Sequence, residues 1–327
     1  MGINKDLFTR IYEDCKKIVE CSGEENMKLK IIKLEKHYKE MIAERNYKIQ
    51  GFYAIAHEIR TYEFLKNNNL LLKVQNDNKP GPDYFTTIGY VECVTFMPPK
   101  GATNRKIISG NFNRYRVFEP RISQAISGKK EKYDNYTKKE NIDTEYPRII
   151  FLSSGLCGFE INSSSFYDIL LKILFGGGNP VFMVDRKSGR IVEKCRESVQ
   201  SIEKITNGKN GNEISVKLEV DYFDKEEYSN ISAVLFTDNL PYEEYKSLFL
   251  FLNHKTNIEI NKKILKNIEI IERNKDMIYI YKIDWKILNE NINIMIRKIL
   301  VLIYIDKANI IDFVDLTCKW LTAIIYS

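Results

Sequence analysis

Histidine is scarce in this chain. There are three in 327 residues, His37, His57 and His254, and no two are close in sequence. That excludes a HExxH metalloprotease and argues against a histidine-rich catalytic metal centre. Cysteine is thinly spread, at positions 15, 21, 93, 157, 195 and 318, without a CxxC pair. A zinc knuckle and a disulfide framework are therefore both disfavoured, and reduced thiols in a cytoplasmic protein are expected. Long apolar runs are missing too. The longest, "ILVLIYI" at 299–305, is flanked by Arg297, Lys298 and Asp306 and falls far short of the ~20 residues needed to cross a bilayer. No membrane partner is expected. The opening "MGINKDLFTRIYEDCKK" carries charges where a signal peptide needs an apolar stretch, and Asp6 stands where a myristoylation signal prefers Ser or Thr.

Hydrophobic residues make up 44% and charged residues 29%, the balance of a globular domain with a proper core. The net charge of +6 is unevenly placed. Between Lys100 and Lys139, eleven basic residues face three acids (Glu119, Glu131, Asp134), a net of +8, so the rest of the chain carries −2. A localised basic segment is either a solvated surface or the electrostatic footprint of a polyanion.

Apolar spacing of three and four predicts two helices within residues 4–48, broken at "CSGEEN", and so an N-terminal helical hairpin over 1–48. A further amphipathic helix is expected over 49–69, with Phe52, Ile55, Ile59, Tyr62, Phe64 and Leu65 on its apolar side and Asn67–Asn69 at its end. "LLLKVQ" reads as a strand, "NDNKPGP" as a turn, and "DYFTTIGYVECVTF" as two strands joined near "TTIG". Residues 97–118 read as a loop. A helix is expected over 120–136 with Pro120 at its start. "RIIFLSSG" reads as a buried strand, and "SSSFYDILLKILFGGG" as a helix capped by Ser163–Ser165, whose "FGGG" is a C-terminal turn, not a phosphate loop. A hairpin across "RKSG" and a last core strand over 229–238 follow. These elements predict a mixed α/β core over 49–240. From 241 to 327 the Ile-, Asn- and Lys-rich texture predicts a separate, mainly helical region, with self-association as one role for it.

The stretch "GPDYFTTIGYVEC" places Asp83 and Glu92 on the two arms of a hairpin. Side chains alternate along strands whose neighbours lie about 4.8 Å apart, so two carboxylates at neighbouring positions on one face can share a divalent cation. Mg²⁺ is commonly held by one or two carboxylates, with water and phosphate oxygens completing its shell. Glu58, inside the preceding helix, is a third acid that helix packing could aim at the same spot. The alternative is structural: Asp83 a turn residue after Gly-Pro, and Glu92 an edge-strand charge.

In order, Glu58 with Leu65 seven residues on, "GPDY", "VECV", "RISQAISGKKEKY", "PRIIFLSSG", "FGGGNPVFMVDRKSGRI" and "SNISAVLF" resemble the PD-(D/E)XK nuclease superfamily over residues 50–240. The resemblance implies a restriction-endonuclease-like mixed sheet flanked by helices. It also implies a Mg²⁺- or Mn²⁺-dependent phosphodiesterase acting on DNA, less readily on RNA. Asp83, Glu92 and the backbone carbonyl of Cys93 would be metal ligands, and Glu58 an outer or third ligand.

The family's E-x-K motif places a lysine two residues after the acid; here that residue is Val94. Either the fold is a catalytically inactive nucleic-acid- or protein-binding module, or the cation comes from elsewhere. Ile122, Ala125, Ile126, Lys129 and Tyr133 fall on one helical face. Lys129 is thus the candidate replacement, unless it merely snorkels along apolar surface; Lys130 and Lys132 read as surface charges. Candidate nucleic-acid contacts are Arg105, Lys106, Arg114, Arg116, Arg121, Lys130 and Tyr133, a mix suited to phosphate contact and stacking.

Overall fold

The computed structural model describes residues 5–43, 49–76, 79–96, 114–139, 141–154, 163–184, 191–207, 213–239, 244–245, 248–261, 268–274 and 277–281. It forms two compact units, one of residues 1–178 with 198–279 and one of residues 179–197 with 280–327.

The first unit begins with helices α1 (Lys5–Ser22), α2 (Glu25–Ile42) and α3 (Ile49–Asn67). Helix α3 stops where Asn69 turns into the left-handed region, φ 56°, and the Leu70 amide bonds back to the Leu65 carbonyl at 2.8 Å, a C-terminal closure that asparagine tolerates well. Strands β1 (Leu71–Val74), β2 (Tyr84–Thr86) and β3 (Gly89–Thr95) follow, then α4 (Arg114–Lys138), β4 (Arg148–Ser153) and α5 (Ser163–Phe175). Strand β5 (Gly177–Val184) pairs with β6 (Ile191–Ser198), and β7 (Ser201–Asn207) with β8 (Glu213–Glu219), as separate two-stranded sheets. The remaining strands are β9 (Ala233–Thr237), β10 (Leu248–Leu252), β11 (Glu269–Asn274) and β12 (Met277–Tyr281).

The main sheet runs β1-β2-β3-β4-β9-β10-β11-β12 and is mixed. β3, β4 and β9 are parallel, as are β10 and β11, while β1/β2, β2/β3 and β9/β10 are antiparallel. Every residue of β4 is buried, as expected of a strand with parallel neighbours on both sides and helices on both faces. Alternation sorts the core into two layers. Val91, Cys93, Ile149, Phe151, Leu235 and Leu250 face α1–α3. Tyr90, Ile150, Leu152, Phe236 and Phe251 face α4 and α5. The N-terminal hairpin therefore shares one core with α3 and the sheet.

Two expectations are corrected. Pro120 lies inside α4, not at its start. Helix geometry begins at Arg114, within the stretch expected as loop, and continues through the proline into a buried face made by Phe118, Ile122, Ile126 and Tyr133; tertiary burial offsets the missing amide bond. The mainly helical reading of 241–327 also fails as far as the described residues reach. β10, β11 and β12 extend the sheet past residue 240, because "LFLFL" is an all-buried strand. Residues 282–327 lie outside the described residues.

Candidate active site

The β2/β3 hairpin sets the geometry. Its register pairs Tyr84 with Val91, Phe85 with Tyr90 and Thr86 with Gly89, and continued one step it sets Asp83 opposite Glu92. Opposed residues across an antiparallel pair have Cβ atoms about 5 Å apart. The two acids are laced together. The Asp83 amide donates to Glu92 Oε2 at 3.3 Å, and the Cys93 amide donates to Asp83 Oδ2 at 2.7 Å. Gly89 makes the turn possible: at φ +145° a Cβ there would stand 2.6 Å from the Pro147 carbonyl oxygen.

Glu92 shares the sheet face of Tyr90 and Val94, and that face is covered by α4. Its carboxylate is almost wholly buried, 1% exposed. Lys129 Nζ lies 3.1 Å from Glu92 Oε1, Lys132 Nζ lies 2.9 Å from the same oxygen, and the Tyr136 hydroxyl is at 3.4 Å. Val94 packs into the apolar layer under α4. Lys129 thus reaches the acid from the helix, on the face where the strand carries a valine. Lys132, read from the sequence as a surface charge, is corrected: its long stem brings the ammonium onto Glu92 although half the side chain is exposed.

Glu58 comes to the same place from α3. Its Oε2 lies 2.5 Å from Lys30 Nζ, a lysine of α2 whose side chain is only 3% exposed, and its backbone carbonyl accepts the Tyr84 hydroxyl at 2.6 Å. Lys30 was not singled out from the sequence. The signal for it was there, since Met27, Lys30 and Leu34 share one buried stripe of α2. Next to Glu58, His57 is fully buried. Its Nε2 lies 3.0 Å from the Phe151 carbonyl and its Nδ1 2.6 Å from the Tyr245 hydroxyl. A carbonyl can only accept, so Nε2 carries the proton and Nδ1 accepts from the tyrosine.

The charges sense one another. Burial raises the Glu92 carboxyl above its ordinary range, and Asp83 adds to this against the pull of Lys129 and Lys132. Burial also raises Glu58, opposed by Lys30 and reinforced by Asp83. For Lys129, burial works to lower the ammonium, but Glu92, Asp83 and Glu58 outweigh it and hold it above the ordinary lysine value. Lys129 is therefore a fixed cation at neutral pH, not a base. A cleft of about 260 Å³ opens beside these groups, lined by Glu58, Asp83, Lys132 and Tyr136 among others. Among the described residues no group of three or more His, Cys, Asp and Glu side chains is arranged to hold a metal ion.

The candidate nucleic-acid contacts divide. Arg121 is exposed on α4. Lys130 pairs with Asp134 at 2.9 Å and lies over the Tyr228 ring. Tyr133 is corrected: it is fully buried, its hydroxyl 2.9 Å from the carbonyl oxygens of both Tyr90 and Ile149, and it has no surface to offer a polyanion. Arg105 and Lys106, and the side chains of Arg114 and Arg116, lie outside the described residues. The Cys93 thiol is buried, and burial and then Asp83 push it well above its ordinary value, which leaves it inert as a nucleophile. No protein-family profile, curated protein or solved structure matches this chain.

Proposed function

We propose that the chain is a divalent-metal-dependent nuclease that hydrolyses phosphodiester bonds, of DNA in the first instance, on a restriction-endonuclease-like core. The observation that carries this reading is convergence. Glu58 from α3 and Asp83 from the hairpin line one cleft, the buried Glu92 accepts from the Asp83 amide, and Lys129 from α4 donates to Glu92. Mg²⁺ or Mn²⁺ needs only one or two protein carboxylates when water and phosphate oxygens complete its shell. Asp83 and Glu92 supply that number, with the Cys93 carbonyl as the further candidate ligand. Lys132, the more exposed of the two ammoniums on Glu92, is the one free to swing aside. A metal held there would polarise the phosphate and acidify a bound water.

The chain's own groups have separable parts in the reaction. Lys129 stays protonated and neutralises charge that builds on the non-bridging phosphate oxygens. Glu58 accepts the proton of the attacking water. The water oxygen bonds to phosphorus, the ester P–O bond breaks, and the leaving oxygen takes up a proton to give a hydroxyl and a phosphomonoester. A second reading, an inactive nuclease fold that only binds, is favoured by the engagement of both Glu92 oxygens with protein donors and by Val94. Incubation with plasmid and single-stranded DNA in Mn²⁺ separates them. Wild type should nick or degrade DNA, Asp83→Ala should abolish this, and Lys129→Ala should slow it by about 10²–10³, the usual effect of deleting one charge-stabilising group. If all three proteins bind DNA and are equally inert, the enzyme reading fails. If only Lys129→Ala keeps full rate, the lysine assignment fails alone.

A further inference from the structure

One oxygen of Glu92 carries more donors than it has places for. Oε1 lies 2.9 Å from Lys132 Nζ, 3.1 Å from Lys129 Nζ and 3.4 Å from the Tyr136 hydroxyl, while Oε2 accepts the Asp83 amide at 3.3 Å. A carboxylate oxygen offers about two lone-pair sites, so one of the three donors on Oε1 is supernumerary. The two ammoniums are held differently. The Lys129 side chain is 14% exposed and that of Lys132 52% exposed. Lys132 also lines the cleft together with Asp83 and Glu58, whereas Lys129 does not. Lys132 is thus the ammonium that approaches Glu92 from the open side. The charges here already balance. Glu58, Asp83 and Glu92 are three carboxylates, and Lys30 on Glu58 with Lys129 and Lys132 on Glu92 are three ammoniums. A dication entering this set repels every ammonium in it. Of the three, only Lys132 can return to water without leaving a cation in the core.

We propose that Lys132 is a built-in competitor for the metal: its ammonium holds the Glu92 oxygen in the free protein and is expelled to solvent when a divalent cation takes that oxygen. The inference rests on the proposed metal site and names the residue that sets its affinity. Apparent affinity falls in proportion to the fraction of molecules whose binding position is open, so a contact made in about nine molecules of ten weakens metal binding about tenfold. Linkage is reciprocal. Whatever Lys132 takes from metal affinity, the metal takes from the contact between Lys132 and Glu92. Lys129 keeps its place on Glu92 in both states, because its stem is seated between α4 and the sheet.

The test uses Mn²⁺ alone as the probe, with the full chain and no nucleic acid, and follows free Mn²⁺ by its electron paramagnetic resonance signal. Binding at the site is defined by its loss in Asp83→Asn. That binding should be about tenfold or more tighter in Lys132→Gln than in wild type. Lys130→Gln removes the same charge from the same helix, but at a lysine that pairs with Asp134; its affinity should match wild type. A second readout needs no variant at all. Saturating Mn²⁺ should raise the rate at which acetic anhydride acetylates Lys132 in wild type, mapped by mass spectrometry. Equal affinity in wild type and Lys132→Gln, equal tightening in Lys130→Gln, or an acetylation rate at Lys132 that Mn²⁺ leaves unchanged would overturn the inference while the metal site stands. Binding that Asp83→Asn does not remove, or no binding in any of the proteins, would take away the metal site and the inference with it.

Discussion

His57 offers a quantitative test of how α3 is fastened to the sheet. It is buried between the Phe151 carbonyl of β4 and the Tyr245 hydroxyl, one residue before Glu58. Burial is the largest influence on it and, despite the backbone hydrogen bond to Phe151, lowers its pKa to about 4, from about 6.5 in an unfolded chain. The folded state thus binds fewer protons than the unfolded state between those values. The contribution of neutral His57 is complete above pH 6.5 and is lost as pH falls through the window from 6.5 to 4. At 1.36 kcal/mol per unit, the full loss is about 3 kcal/mol, of which about 2 kcal/mol falls between pH 7 and pH 5. Glu58 and Glu92 are raised carboxyls and give the opposite slope, because there the folded state holds the extra protons. The informative quantity is therefore a difference: urea unfolding of wild type and His57→Gln at pH 7, 6, 5 and 4.5. The gap between the two should shrink by about 2 kcal/mol from pH 7 to pH 5. Curves that stay parallel would refute the reasoning, and would mean that His57 is either hydrated or already charged in the folded state.

Other substitutions probe the site's construction. Gly89→Ala places a methyl group 2.6 Å from the Pro147 oxygen at a φ that L residues avoid; it should cost about 3 kcal/mol or more in chemical denaturation, and a near-neutral result would mean the hairpin register is not fixed as described. Glu58→Ala takes the carboxylate from a buried ammonium, whereas Lys30→Met leaves Glu58 at the cleft, where water reaches it. The first should cost about 3 kcal/mol and the second about 1 kcal/mol in thermal or urea unfolding; the reverse order would contradict the assigned burial. In a Lys129→Ala background, Val94→Lys restores an ammonium to the Glu92 face from the strand. Nuclease activity should recover at least tenfold over Lys129→Ala alone, and no recovery with the fold intact would mean that the position of the cation on α4 matters in itself.

What the sequence disclosed followed from short-range periodicity. The Asp83–Glu92 opposition needed only a turn, two alternating arms and their lengths. Lys129 was legible because it shares a helical stripe with Ile122, Ile126 and Tyr133. The same stripe turns Tyr133 inward, where its hydroxyl ties α4 to the carbonyls of β3 and β4 and is not available to nucleic acid. Lys132 was hidden for the opposite reason, since a side chain long enough to bend round the helix is not bound by the stripe on which its Cα falls. Strands β10–β12 were missed because isoleucine and asparagine repeats in the tail overlap the helical and strand periods, and "LFLFL" has too few residues to separate a buried strand from a helix core on pattern alone.

Val94 is best understood through the sheet's alternation. It lies on the same face as Glu92 and fills apolar space under α4. A lysine at that point would have its stem in the core and its head at Glu92. Lys129 delivers the head without the stem crossing the layer, because α4 runs directly over the strand and its Ile122–Ile126–Tyr133 face is anchored in the same layer. The electrostatic requirement, a cation held against a buried acid, is then met by the helix, and the strand position is released to packing. This ties the chemistry of the site to the seating of α4. Whatever shifts the helix on the sheet moves both Lys129 and Lys132 relative to Glu92, while the Asp83–Glu92 pair, fixed by the hairpin's own hydrogen bonds, stays where it is.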